Sequence, residues 1–160
     1  MSVYNHLLLQ SSPEGNKLNP SALLINGPVL NVIISLPKPL VELFTKEGKK
    51  IPNVKSGVAL IDTGATKSCV HNTIMRGLEV NPTGIITSHA ANGPKECNLY
   101  PAHFTFPEAH LEIELASIVE VDLTGQHFNG QQIIVLIGRD ILLNSIFVYN
   151  GPLGLYTIAL

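Results

Sequence analysis

Of the three aspartates in this 160-residue chain, Asp62, Asp122 and Asp140, one follows directly on a run of apolar residues. Asp62 ends Val58-Ala59-Leu60-Ile61 and precedes Thr63-Gly64-Ala65-Thr66. A carboxylate delivered by a buried strand, then a glycine that lets the backbone turn tightly, is how a fold holds an acid rigidly in a low-dielectric place. Backbone N–H groups near Gly64 are placed to donate to that carboxylate, and the Thr63 hydroxyl to anchor the turn. A group held this way suits general acid–base chemistry. The plainer reading of Asp62 is a turn aspartate after a strand. Asp140 stands at the start of a short helical stretch, where the helix dipole favours negative charge. Asp122 lies in a polar loop, and neither of these two is expected to be a second catalytic acid. Cys69, His71, His89 and Cys97 offer metal-ligand atoms, but their spacing matches no zinc module. Both cysteines sit in strand-like contexts, where a thiol behaves as a small hydrophobe. No metal and no cofactor is expected.

The elements that must position Asp62 are short. Val58 to Ile61 is continuously apolar, as expected of a strand buried on both faces. Val29 to Ser35 is β-prone and is broken by Pro37 and Pro39. Glu47-Gly48-Lys49-Lys50 predicts a hairpin turn between a strand over Val41–Phe44 and the next strand. Asn72 to Gly77 reads as one helical turn capped by Asn72. Ile85–Ala91 and Cys97–Phe106 are extended runs joined by Asn92-Gly93-Pro94, and Asn-Gly is a strong hairpin signal. Phe104 and Phe106 alternate with Thr105 and belong in a core. Leu111, Ile113 and Leu115 alternate with Glu112 and Glu114, which predicts a half-buried strand. Ile133–Ile137 is again apolar throughout, and Gly138-Arg139-Asp140 opens a short helix over Ile141–Asn144. Ile146–Tyr149, a turn at Asn150-Gly151-Pro152, and Leu155–Leu160 form a second hairpin. With 13 Gly, 11 Pro and no long amphipathic helix, the pattern predicts an all-β domain of sandwich or barrel type.

Ala59-Leu60-Ile61-Asp62-Thr63-Gly64-Ala65-Thr66 resembles the active-site loop of the retropepsin-like aspartic proteases. Leu136-Ile137-Gly138-Arg139-Asp140-Ile141-Leu142 resembles that family's second signature, two apolar residues and Gly followed by Arg and a short helix. The Asn92-Gly93 hairpin lies between them, where the family has its flap. The resemblance covers residues 28–160. It implies a small closed β-barrel with one short helix near the C-terminus, in which the second apolar-Gly segment passes behind the catalytic loop. It implies an endopeptidase acting on peptide or protein substrates, with Asp62 catalytic and Thr63, Gly64 and Ala65 forming the active-site loop. Ala91, Asn92 and Gly93 would form the flap, and Gly138 and Arg139 would give structural support. It also implies a homodimer in which each subunit gives one Asp62 to a shared dyad. The single Asp-Thr-Gly agrees, because a two-lobed monomer of the pepsin type needs two such motifs in a far longer chain.

The sequence departs from the family pattern in places. Thr66 stands where retroviral members often carry an acid able to pair with the downstream Arg, so no partner for Arg139 is identified. Ala90-Ala91-Asn92-Gly93-Pro94 holds less glycine than retroviral flaps. The C-terminal hairpin resembles cellular relatives more than viral ones and could pair with its two-fold mate, leaving the first twenty residues out of the interface. Two other readings stand beside the protease. Asp62-Thr63-Gly64-Ala65-Thr66 fits the D-x-G-x-T phosphate cradle of the actin–sugar kinase superfamily, but that fold needs a longer chain, a second phosphate loop and a Gly-rich adenosine motif, none visible. A catalytically idle domain of the same fold, binding peptides or serving dimerisation, is the second.

Composition bounds these readings. Apolar residues make up 45% and charged residues 14%, too rich and too poor respectively for a disordered chain. A net charge of −2 gives no nucleic-acid footprint. No apolar run approaches the ~18 residues of a transmembrane helix, so no membrane partner is expected. Two cysteines without CxxC rule out a disulfide scaffold and leave one Cys69–Cys97 bridge open, with reduced thiols in a cytoplasmic protein as the default expectation. The turn-rich residues 1–20 read as a loosely organised N-terminal extension and residues 21–160 as one domain.

Overall fold

In the computed structural model, which describes residues 2–90 and 93–159, β1 (Val3–Leu7) is followed by a small hairpin of β2 (Leu9–Ser12) and β3 (Gly15–Leu18). Next comes helix α1 (Pro20–Asn26). The Asn19 side chain accepts from the Ala22 amide, Pro20 fills the first turn, where a missing N–H costs nothing, and Gly27 ends the helix at φ 70°. Pro20, the last residue of the turn-rich N-terminal stretch, thus starts a helix. After β4 (Val29–Ser35) the chain forms helix α2 (Lys38–Lys46). The expected strand over Val41–Phe44 is therefore overturned. Leu40, Val41 and Phe44 recur at helical spacing and pack on the core, and Pro39 fits the first turn. A window of four residues was too short to separate the two periods.

The remaining elements are β5 (Lys55–Ile61), β6 (Cys69–His71), α3 (Asn72–Gly77), β7 (Gly84–Ala90), β8 (Gly93–Phe106) and β9 (Leu111–Val121). They are followed by β10 (His127–Phe128), β11 (Gln131–Ile137), α4 (Arg139–Leu142), β12 (Ile146–Asn150) and β13 (Leu155–Ala159). A single 3-10 turn, Pro107–Ala109, joins β8 to β9. Helix α3 spans the expected residues, but its cap position falls on His71 and no side chain caps it.

Six strands close on themselves in the order β11, β5, β4, β8, β9, β6 and back to β11. The fold is thus the all-β, small closed barrel expected from the sequence, with α4 as the short helix near the C-terminus and three further short helices around it. β5 and β11 run parallel, with Ile61 opposite Ile137, and β6 returns antiparallel on the other edge of β11, with Val70 opposite Val135. The chain on either side of Asp62 therefore flanks β11. Among the described residues β7 pairs only with β8, so Gly84–Ala90 and the first half of β8 form a hairpin beyond the barrel circuit. A second sheet has the order β1-β13-β12, so the first strand of the chain pairs along the last.

Val32, Ile34, Ala59, Val70, Phe104, Phe106, Ile118 and Val135 fill the barrel and are essentially inaccessible. Each large apolar side chain buried this way stabilises the fold by about 1.5–3 kcal/mol before entropy is counted. Phe104 and Phe106 meet edge-on at 6.3 Å. The buried Tyr156 of β13 donates its hydroxyl hydrogen to the Val29 carbonyl, which ties the second sheet to the barrel.

Candidate active site

Asp62 leaves the end of β5 and is caught at once by its parallel neighbour: its amide donates to the Ile137 carbonyl at 2.9 Å. The Gly64 amide donates to Asp62 Oδ1 at 2.8 Å, and the Ala65 amide to the Asp62 carbonyl at 3.2 Å. These bonds close a tight turn that faces the half-buried carboxyl group. A Cβ on Gly64 would stand 3.0 Å from Asp62 Oδ1. A side chain here would press on the carboxylate, which would have to move by a few tenths of an ångström.

Beyond β11, Gly138 crosses behind this loop. A Cβ at Gly138 would lie 2.6 Å from the Lys67 carbonyl carbon, so only glycine permits the contact. The Arg139 amide donates to the Ala65 carbonyl at 2.9 Å. Its guanidinium donates to the Thr63 carbonyl at 2.9 Å, to the Gly64 carbonyl at 3.4 Å and to the Thr66 hydroxyl at 2.8 Å. The hydroxyl of Thr66 thus accepts from Arg139, and two backbone carbonyls complete the fork of acceptors that a guanidinium needs. Asp62, Thr63, Gly64, Ala65, Gly138 and Arg139 come together at one end of the barrel.

Ser68 belongs to the same assembly, and no feature of the sequence marks it. It is fully buried. Its hydroxyl donates to Asp140 Oδ1 at 2.6 Å and accepts from the Gly138 amide at 2.9 Å. The Asp140 carboxylate also accepts from the Ser68 amide at 2.9 Å and from the Ile141 amide at 2.9 Å. Asp140 does sit in the first turn of α4, as expected, but it also fastens that helix to the far end of the Asp62 loop.

Cys69 and Cys97 are both free thiols. Burial, then the neighbouring Asp140, Cys97 and Asp62, push the Cys69 thiol up to about 11. Asp122 is exposed, and hydrogen bonds from the Thr124 hydroxyl and amide hold its carboxyl below the usual range. His71 is buried, with Nδ1 accepting from the Leu123 amide at 3.1 Å. Among the described residues no three His, Cys, Asp or Glu side chains gather as a ligand set, and no helix is long and apolar enough to cross a membrane. Of the expected flap residues, Ala91 and Asn92 lie outside the described residues. Gly93 opens β8 opposite Ala90, at φ 96° and with open space where a side chain would go.

Asp62 lines neither a cavity of about 540 Å³ beside Asn31, Ser56 and Gln131 nor one of about 760 Å³ between α2 and residues 79–83. Several apolar side chains on neighbouring segments are exposed instead. Leu24 is 81% exposed, Ile25 78%, Leu143 83% and Ile146 61%. The Tyr149 hydroxyl on β12 donates to the Leu23 carbonyl of α1 at 3.4 Å, which joins the two elements. Pro28, just past α1, accepts from the Ile61 amide at 2.9 Å, one residue before Asp62.

No protein-family model and no curated protein matches this sequence. Among solved structures the chain is similar to the solution structure of Simian Foamy Virus (mac) protease, at 16% identity and a TM-score of 0.42, over 72% of this chain and 92% of that one.

Proposed function

We propose that the chain is an aspartic endopeptidase that works as a homodimer, the Asp62 residues of two copies meeting across a two-fold axis. The observation that carries this reading is the setting of Asp62. It is a strand-borne carboxylate, bonded through Oδ1 to the Gly64 amide and braced from behind by Gly138 and Arg139 at the end of a closed barrel. One carboxylate cannot be acid and base in the same step. Two carboxylates about 3 Å apart cannot both ionise easily, so such a pair shares one proton. The ionised member takes a proton from water as the water oxygen attacks the carbonyl carbon of an extended peptide. The protonated member donates to the carbonyl oxygen as negative charge develops there. Collapse of the tetrahedral adduct breaks the C–N bond, and the departing nitrogen takes up a proton from the pair. This route uses water as the nucleophile and forms no covalent enzyme intermediate. Apolar residues beside the scissile bond are the preferred substrate feature.

The exposed surface on α1, Leu143 and β12 supports the pairing. Leu24, Ile25, Leu143 and Ile146 are exposed apolar side chains on segments bonded to or near the Asp62 loop, and apolar patches on a surface mark interaction sites. β12 is an edge strand of its sheet, with one row of backbone groups open to a further strand. The arrangement proposed is two copies pairing along this edge, with substrate held between their Asp62 loops. Incubation with a mixture of unstructured peptides at mildly acidic pH, read by mass spectrometry, tests the reading. Wild type is expected to cleave, and Asp62→Asn to lose activity by a factor on the order of 10^4 while keeping its circular dichroism. Cleavage that survives in Asp62→Asn rejects the assignment.

A further inference from the structure

We infer that Ser68 and Asp140 act together as positioning residues for Asp62, holding the Gly138–Asp140 segment in the register that fixes the loop. For its kinetic consequence this inference rests on the endopeptidase reading; for its structural consequence it does not.

Residues 137–140 meet the loop at four successive points. The Ile137 carbonyl accepts from Asp62, the Gly138 amide donates to Ser68 Oγ, the Arg139 amide donates to the Ala65 carbonyl, and the Asp140 carboxylate accepts from the Ser68 amide and hydroxyl. The Ser68 hydroxyl is the hinge of this seam, because it donates and accepts at once and so is fixed in one rotamer. It is fully buried, where hydrogen bonds to a charged acceptor are strong and an unpaired group is costly. Without Oγ the buried Gly138 amide loses its acceptor, and Gly138 has no room to move toward Lys67. The segment must then shift away from the loop. Asp62 hangs by its amide from Ile137, and Ala65 by its carbonyl from Arg139, so the shift passes directly to the Asp62–Gly64 turn. Asp140 also accepts from Ile141 at the start of α4. That bond alone would serve the helix, whereas the bonds to Ser68 reach the loop.

The test compares Ser68→Ala, Ser68→Thr and Asp140→Asn with wild type by two independent readouts. Amide hydrogen exchange followed by NMR should quicken at Asp62, Gly64, Ala65 and Arg139 in Ser68→Ala, and less so in Asp140→Asn, which keeps one acceptor oxygen. Exchange at Val58 to Leu60, inside β5, should be unchanged. With a cleavable peptide, kcat should fall by up to about 100-fold in Ser68→Ala at nearly constant KM, as expected of small misplacements of a reacting group. Ser68→Thr, which keeps the hydroxyl, should restore both readouts. Should Ser68→Ala not fold, Asp140→Asn alone still decides. Exchange quickened evenly over the whole barrel, or loop amides unchanged in Asp140→Asn, overturns the positioning role. If wild type cleaves no peptide, the endopeptidase reading fails while the exchange data still decide the inference.

Discussion

At Gly64 the absence of one methyl group decides where a carboxylate sits. Gly64→Ala would set a Cβ 3.0 Å from Asp62 Oδ1, so either the carboxylate or the turn must give way. The residue is exposed, and the substitution adds nothing to the core. Activity is therefore expected to fall by about 100-fold with little change in melting temperature, a split that parallel kinetic and thermal assays would reveal. Comparable losses in both would mean that the turn is a structural element and not a holder of Asp62. Asp62 was legible in the sequence because an apolar strand, an acid and a glycine form a local pattern. Arg139 was legible only as a support without a partner, since its acceptors are mostly backbone carbonyls, which carry no sequence signal. Ser68 was not legible at all. A buried serine bonded to a residue 72 positions away looks, in sequence, like any polar residue near a turn.

The parallel pair β5 and β11, with β6 on the other edge of β11, is the device that presents Asp62. Both strands announce themselves as apolar runs, Val58–Ile61 and Ile133–Ile137, which made an all-β domain of sandwich or barrel type legible, while the closed barrel followed only from the resemblance of the two motifs. The helices were harder. α1 carries a complete set of end signals in Asn19, Pro20 and Gly27, yet spans only seven residues. α2 hides its period behind Val41, Leu43 and Phe44, residues equally at home in strands. The hairpin of β7 and β8 is the element whose role is most open to experiment. Gly93 holds φ 96°, a conformation costly for any side chain, although the space around it is free. Gly93→Val should strain the hairpin tip and leave the barrel alone, cutting turnover far more than thermal stability. If the melting temperature falls in step with turnover, the hairpin is scaffold and not a flap.

For the molecule as a whole, the proposed shared dyad would make a quantitative demand. When wild type and Asp62→Asn are mixed equally and allowed to exchange subunits, about a quarter of the dimers are wild type on both sides, and activity should fall to about a quarter of that of the same total protein as wild type. Specific activity should also drop on dilution, because association follows mass action. A value fixed at one half, insensitive to dilution, would mean a complete site in each chain. Acidity should affect activity and stability in opposite directions. A dyad that shares one proton favours mildly acidic conditions. His6 of β1, stacked on Tyr156 at 5.2 Å, is pulled below its ordinary value by burial, against the pull of Glu108. Below about pH 6.5 the unfolded chain binds the proton that folded His6 resists, so stability is lost as pH falls through that window. Tyr4, Tyr100 and Tyr156 are pushed up, chiefly by burial, so their contribution holds below about pH 10 and is lost as pH rises further. Melting temperature should therefore be highest between about pH 6.5 and pH 10 while turnover peaks on the acid side, and a turnover maximum at or above neutral pH would contradict the shared proton. The seam behind Asp62 has a further consequence, for the timing of assembly during synthesis. The loop of residues 62–68 gets its braces from β11 and Gly138–Asp140, and β1 waits for β13, with Asn5 bonded to Thr157 across 152 positions. Such distant pairings make for slow, late folding. A nascent chain that has reached Asn129 carries Asp62 on an unbraced turn, so any activity must await the emergence of β11 and Gly138–Asp140, which lock the loop from behind.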